Sequence, residues 1–335
     1  MPPVKTAFIG CGGIARAHAG VLANLKERVQ MVAFCDIVRE RAQGFCDDFT
    51  QGTGLVFTDS AHMLDDLKLD LAYICLPPFA HTNEVELAAA RGAHIFIEKP
   101  IALNMDLARR MVAAVERAGV KSQVGFVLRF GEAVEAAKRA LTSGEAGPPG
   151  LMVAKYMTNS LHSPWWRDKS RSGGQVVEQI IHIYDLARFF LGEPTVVYAG
   201  MDNIFHRDFA DYTIEDVAAA VVHFDSGAWA TISSTNGAIP NQWLVSFEVI
   251  AKNRTMRFDD ANNAAFHHTD SSWPRTTTIK SDRPMMLAQA LDLLDAIDGG
   301  GQTRTPISEG AKSLALVLAV AESAATGTPA HLERV

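Results

Sequence analysis

"VKTAFIGCGGIARAHAG", Val4 to Gly20, decides the fold. Its first residues form a short apolar run that reads as a buried strand. From Ile14 the pattern changes, and "IARAHAGVLANLKE" places its apolar residues at helical spacing. Between the two stands Gly10-x-Gly12-x-x-Ala15. Gly10 permits a tight turn, Gly12 lets the backbone approach a pyrophosphate, and Ala15 lets the helix pack close to the strand. A helix starting here aims unpaired N–H groups and a partial positive charge at phosphates. The segment Gly10, Cys11, Gly12, Gly13 and Ile14 is therefore expected to hold a dinucleotide. The second apolar run, "QMVAFCD", ends in Asp36, where a ribose-binding acid belongs. A carboxylate there accepts from both ribose hydroxyls and repels a 2′-phosphate, which favours NAD. Arg39 and Arg41 lie close enough in sequence to leave NADP open.

Working outward, "LAYICLP", "AHIFIEKP" and "SQVGF" are further apolar runs, separated by helical patterns up to about residue 125. Strands apolar throughout and spaced by helices predict an α/β fold, a doubly wound parallel sheet of the Rossmann type covered on both faces. Beyond residue 150 the strands follow one another with turn signals between them, as in "DVAAAVVHF" and "AWATISSTN" around Asp225-Ser226-Gly227. These predict a C-terminal α+β domain with an open, mostly antiparallel sheet. The helix Gly173–Phe190 and two C-terminal helices would cover one face. The expected domains are residues 1–125, binding the nucleotide, and 126–335, binding substrate and forming oligomers. "SGEAGPPG", Ser143 to Gly150, is the candidate boundary loop.

Composition narrows the function. A chain of 335 residues exceeds one ordinary core. The net charge of −7 gives no electrostatic reason to expect nucleic acid or an anionic membrane as a partner. No run approaches the ~20 apolar residues of a membrane span. The four cysteines, Cys11, Cys35, Cys46 and Cys75, form no C-x-x-C pair, which fits reduced thiols in the cytoplasm.

Chemistry-bearing residues gather at four places. "CLPPFAHTNEV" follows a strand, so Leu76, Pro77 and His81 are expected on the nicotinamide side of the crevice. For His81, entry to the next helix is an equal reading. "FIEKPIAL" puts Glu98 and Lys99 at a strand end before Pro100, beside the same crevice. "GGQVVEQIIHIYDLARFF" is mostly apolar, yet Glu178, His182 and Asp185 stand at i, i+4 and i+7, on one helical stripe. "SPWWRDKSRSGG" leads into that helix. Its Trp165 and Trp166 offer flat faces to a sugar and Arg167 offers donors, or the aromatics pack beneath the loop. No metal is expected, because a zinc-protease helix needs two histidines four apart and only His182 is present. His267-His268 reads as solvated loop or edge strand.

"GCGGIA", "EKP", "QVGFVLRF" and "SGGQVVEQIIHIYDL" together resemble the Gfo/Idh/MocA oxidoreductases, the family of glucose–fructose oxidoreductase and inositol dehydrogenase. The resemblance spans nearly the whole chain. It implies hydride transfer between NAD(P) and a secondary alcohol or ketone of a sugar, inositol or related polyol. It makes Lys99 and His182 catalytic, with Glu178 where most relatives carry aspartate. Arg129 matches the last arginine of a passage that Val127 and Leu128 do not match, and it joins Trp166, Arg167, Glu178 and His182 as a substrate contact. The family also implies a homodimer or homotetramer through the free face of the C-terminal sheet. The competing readings are a non-enzymatic NAD-binding sensor and an NAD-dependent glycosidase.

Overall fold

The computed structural model describes residues 2–270 and 272–332. Two units emerge: the first runs to Phe126 and takes in Pro284–Ala311, and the second comprises Val127–Arg283 and the chain from Lys312.

In the first unit six strands form one parallel sheet: β1 (Val4–Ile9), β2 (Val29–Cys35), β3 (Leu55–Phe57), β4 (Leu71–Ile74), β5 (His94–Ile97) and β6 (Ser122–Val124). Their order is β3-β2-β1-β4-β5-β6, with the reversal beside β1 that opens a crevice at the strands' carboxyl ends. Helices cover both faces, so side chains on either side of a strand are buried. Phe8, Phe34, Tyr73 and Phe96 are inaccessible or nearly so, and the Tyr73 and Phe96 rings stack at 4.4 Å. That double burial is why the strands read as continuous apolar runs.

One helix expected on the second sheet belongs here instead. Met285–Gly299 lays Ala290, Leu293 and Leu294 into the core that holds Ala15, Ala19 and Leu22 of the helix Gly13–Leu22. Arg28 fixes it from below, with Nη1 on Asp295 (2.7 Å) and Nη2 on Asp298 (2.6 Å). Its apolar periodicity shows that one face is buried; the complementary surface decides where. The chain then runs along β6: Val124 N–H donates to Thr305 O (2.7 Å), Thr305 Oγ1 donates to Val124 O (2.9 Å), and Ile307 N–H donates to Ser122 Oγ (3.0 Å). An edge that would otherwise present unpaired backbone is thereby closed.

The second unit holds a nine-stranded sheet of β7 (Pro149–Met157), β8 (Pro194–Asp202), β9 (Val217–Phe224), β10 (Trp229–Thr235), β11 (Leu244–Ala251), β12 (Arg254–Phe258), β13 (Ala264–His268), β14 (Arg275–Ile279) and β15 (Ala330–His331). The order is β14-β13-β12-β11-β7-β10-β9-β8-β15. Among the described residues, only the β7–β10 pair of this sheet is parallel. Along β9 and β10 buried and exposed residues alternate, the signature of a sheet covered on one face. The helical run through Val176–Ile180 and Ile181–Leu191 packs on that covered face, where Phe190 meets the stacked rings of Phe247 and Phe258. The Ser143–Gly150 segment is no domain boundary: it joins the helix Glu132–Thr142 to β7 inside this unit. His267 and His268 close β13, next to the edge strand, and hydrogen-bond Thr276 and Thr277.

Candidate active site

The glycine loop after β1 is shaped from within. Gly10 has φ +89°, and a Cβ there would lie 2.5 Å from the carbonyl oxygen of Cys75, so the turn admits only glycine. At Gly12 and Gly13 the added carbon would meet nothing within 4 Å, which leaves the backbone face open to a ligand. The helix Gly13–Leu22 has no side-chain cap and no acid in its first turn, so its leading amides remain available to phosphate oxygens. Asp36 is held at the rim: Oδ2 accepts from Cys11 N–H and Oδ1 from Val38 N–H, both at 2.9 Å. Each oxygen keeps a lone pair for a ribose hydroxyl. The Cys11 amide is thus engaged by Asp36, whereas the sequence placed it at the phosphates. Burial, with Asp36 beside it, pushes the Cys11 thiol up to about 12, so it is a neutral packing group. Ile14 and Ile37 are exposed around this rim. An open glycine backbone and uncapped helix amides as donors, with an oriented carboxylate as acceptor, are what a dinucleotide needs.

Leu76 and Pro77 follow β4 half-buried, and Leu76 Cδ2 comes within 3.1 Å of where a Gly10 Cβ would stand. His81 is buried and shares a 2.6 Å hydrogen bond from Nδ1 with Glu84, which also accepts from Thr82 N–H (2.8 Å). Burial alone would raise the Glu84 carboxyl; the hydrogen bond and charge of His81 together with the backbone amides of Thr82 and Glu84 outweigh it and bring Glu84 below its usual range. This bond ties His81 to the entry of the helix Glu84–Ala90.

Glu98 and Lys99 follow β5, and the Lys99–Pro100 bond is cis. Glu98 is buried, with Oε2 accepting from Lys99 N–H (3.1 Å) and Oε1 paired with His18. Its carboxylate, expected at the cofactor, is turned onto the protein. Lys99 itself is half-buried at the strand's carboxyl end.

The helix of the second unit departs from its expected regularity. Val176–Ile180 is a π-helical turn, and regular α-helix resumes at Ile181. The wider turn rotates residues before it relative to those after it, a device common at functional sites. The stripe of three titratable groups is accordingly divided. Glu178 Oε2 accepts from Trp166 Nε1–H at 2.7 Å. Asp185, 1% exposed, takes a bidentate pair from Arg129 (Nε to Oδ2 2.7 Å, Nη2 to Oδ1 2.6 Å) and a bond from Ser313 Oγ (2.9 Å). His182 stands half-buried between them in sequence.

Arg129 is corrected by this geometry. Expected at substrate, it is 4% exposed, and its guanidinium fork is matched to Asp185. Trp166 is corrected too. It is no open stacking platform: it is 3% exposed, its ring lies 4.2 Å from His162, and it clusters with Tyr212 and Ile214. Its polar edge meets Glu178 while its faces pack. Arg167 pairs through Nη2 with Asp211 (2.8 Å), and its buried Nε has no acceptor among the described residues.

Two residues at the site escaped the sequence reading. Glu215 is almost wholly buried and accepts from Val176 N–H (2.7 Å), anchoring the π-turn's first residue. A side chain at Gly174, φ +107°, would collide with that carboxyl. Burial raises the Glu215 carboxyl above its ordinary value despite this bond. Nothing in its neighbourhood in sequence marks it. His18 did leave a signal: it shares the buried helix face of Ala15, Ala19 and Leu22. Among the described residues, no three His, Cys, Asp or Glu side chains gather as a metal site would require.

Comparison with known proteins follows the two-unit division. Residues 4–126 match the profile of an oxidoreductase family with an NAD-binding Rossmann fold, and residues 134–257 match the GFO/IDH/MocA C-terminal domain. The chain is 30% identical to D-apiose dehydrogenase of Paraburkholderia graminis, over 98% of this chain and 90% of that one. It is also 30% identical to scyllo-inositol 2-dehydrogenase (NAD(+)) of Bacillus subtilis, over 69% of this chain and 67% of that one. Among solved structures, levoglucosan dehydrogenase in complex with NADH and L-sorbose superposes with a TM-score of 0.90 at 21% identity, each chain fully covered. An oxidoreductase from Agrobacterium radiobacter in complex with NAD+, L-tartaric acid and magnesium gives 0.84 at 23% identity, with 98% of each chain covered. At that identity the structural likeness speaks to the fold.

Proposed function

The chain belongs to the Gfo/Idh/MocA oxidoreductase family and carries its NAD-binding Rossmann domain, and from that premise we propose that it oxidises a secondary alcohol of a sugar, inositol or related polyol. The observation that carries this reading is the placing of Glu178 in a π-turn and His182 just after it on one helix, in a chain that also sets Lys99 two residues past the end of a parallel strand. NAD, when bound, would supply the hydride acceptor. Gly12, Gly13 and the first helical amides would hold its phosphates, and Asp36 would hold its ribose.

The chain's own residues manage the proton and the substrate oxygen. His182 is the base that takes the hydroxyl proton, since an imidazole titrates near working pH. Lys99 donates to the same oxygen and stabilises its developing negative charge. Glu178, its Oε2 fixed by the Trp166 indole, accepts from a second substrate hydroxyl. Arg167 supplies a further donor. Arg129 acts from behind, keeping the helix in register through Asp185.

The open sheet face supports self-association. Val153, Tyr198, Val221 and Trp229 are exposed on neighbouring strands, a largely apolar surface suited to a second copy of the chain. A homodimer or homotetramer through this face is the assembly we assign, to be checked by light scattering. Four buried free thiols fit a reducing cytoplasm.

The test is NADH formation by the purified protein with NAD and, in turn, D-apiose, scyllo-inositol, myo-inositol and levoglucosan. Turnover of at least one is expected. Tight NAD binding with no reduction across the panel would overturn the reading in favour of a sensor.

A further inference from the structure

We propose that His18 is a positioning residue for Lys99, acting through Glu98. This rests on the reading of Lys99 given above. The two side chains are 80 residues apart in sequence, yet His18 Nε2 lies 2.8 Å from Glu98 Oε1, with the side chains 3% and 9% exposed. The other oxygen of the same carboxylate accepts from Lys99 N–H at 3.1 Å. The helix that receives the pyrophosphate is thus tied by one hydrogen-bond chain to the peptide that carries the lysine.

Both ends of the chain are immobilised. The His18 ring sits edge-on to Phe96 at 4.5 Å and beside Tyr73 at 5.6 Å, so packing fixes its direction. Behind the carboxylate, a Cβ on Gly125 would come within 2.5 Å of Glu98 Oε2, so glycine at this position is what lets the carboxylate sit against the backbone. A buried ionised carboxylate needs donors on both oxygens, because an unmatched charge in the interior is strongly unfavourable. Here His18 supplies one donor and the Lys99 amide the other. This assigns Nε2–H as the protonated nitrogen of His18 while Glu98 is ionised.

A histidine is not required for packing at this point. Surrounded by Phe96, Tyr73 and the Ala15–Ala19 face, phenylalanine would fill the space as well and bring no unpaired donor. The imidazole's contribution is its N–H. Remove it, and Glu98 Oε1 is left without its donor, the carboxylate loses its orientation, and the Lys99 amide loses a defined acceptor. A misplacement of about 1 Å at a reacting group lowers rate by up to roughly 100-fold.

The experiment follows Lys99 directly, without needing a substrate. Lysines of the full-length protein, loaded with NAD, are reductively methylated with 13C-formaldehyde, and the Lys99 resonance is assigned by its loss in Lys99→Arg. His18→Phe should move or split this resonance in a protein that remains folded but has a lowered thermal midpoint, and His18→Gln, whose amide N–H can reach Glu98, should return both toward the wild-type position. Glu98→Gln, which sets one donor against another, should disturb it as His18→Phe does and serves if His18→Phe fails to fold. A wild-type Lys99 resonance in a folded His18→Phe or Glu98→Gln protein overturns the proposal. With a turned-over polyol, His18→Phe should lose about tenfold in kcat with KM for NAD within about twofold. Should Lys99→Ala keep wild-type turnover while the resonance still responds to His18, the catalytic reading of Lys99 fails and the positioning link stands.

Discussion

Lys99 and His182 are carried by scaffolds of opposite character. The lysine ends a strand in a sheet buried on both faces, with its amide seated on a buried carboxylate. The histidine rides a helix broken by a π-turn, whose neighbours Glu178 and Asp185 are drawn to different partners, Trp166 and Arg129. On the sheet, backbone pairing settles where the strand ends, and the Glu98 carboxylate just beyond it seats the Lys99 amide. On the helix, direction depends on an anchoring set from distant parts of the chain: Arg129, Glu215 and Ser313.

The comparison breaks first if either of the two groups proposed to react is dispensable. His182→Ala and Lys99→Ala should each lower kcat by about 10²–10⁴-fold, with NAD affinity kept, as read by steady-state kinetics and NADH fluorescence. Next in size is the anchoring of the helix. Asp185→Ala leaves the Arg129 guanidinium buried without its carboxylate, and should lower stability by about 3–5 kcal/mol in denaturant unfolding. The exchange of both residues for apolar ones of similar volume should lose far less. Asp36→Ala should raise KM for NAD by roughly tenfold and narrow the preference over NADP.

The smallest effect sharpens the helix side alone. Burial holds the Glu215 carboxyl above its usual value. A group whose folded pKa is raised gives its full stabilisation below the unfolded value and loses it as pH rises through the folded one. Glu215→Gln keeps an acceptor for Val176 N–H, so it should change the thermal midpoint little at about pH 4 and raise stability by about 1 kcal/mol at about pH 8. A fall at the higher pH would mean that the ionised carboxylate is what the π-turn needs.

The same contrast governs what could be read in advance. Parallel strands such as β1, β2 and β4 are legible because burial on both faces leaves uninterrupted apolar runs, and the glycine spacing between β1 and its helix fixes the crevice. β3 was missed because three residues make no pattern, and β13 and β14 because "AAFHH" and "RTTTI" carry too little apolar alternation near a sheet edge. Within the site, Lys99, His182 and Glu178 stand out as titratable groups in apolar settings. The roles of Arg129 and Trp166 were misjudged because their partners, Asp185 and Glu178, are 56 and 12 residues away. A π-turn adds no residue type of its own, so a regular i, i+4, i+7 stripe was the natural but mistaken reading.

The membership of Met285–Gly299 in the first unit has a consequence for biosynthesis. A ribosome that has released the last strand of the parallel sheet has yet to translate the whole second unit before Leu293 and Leu294 can cover their place beside Leu22. During that interval the nascent nucleotide-binding half exposes an oily stripe, which invites chaperones or neighbouring chains to occupy it. A gene fragment stopping at residue 126 should therefore yield insoluble protein, and co-expression of the segment 284–311 should rescue it.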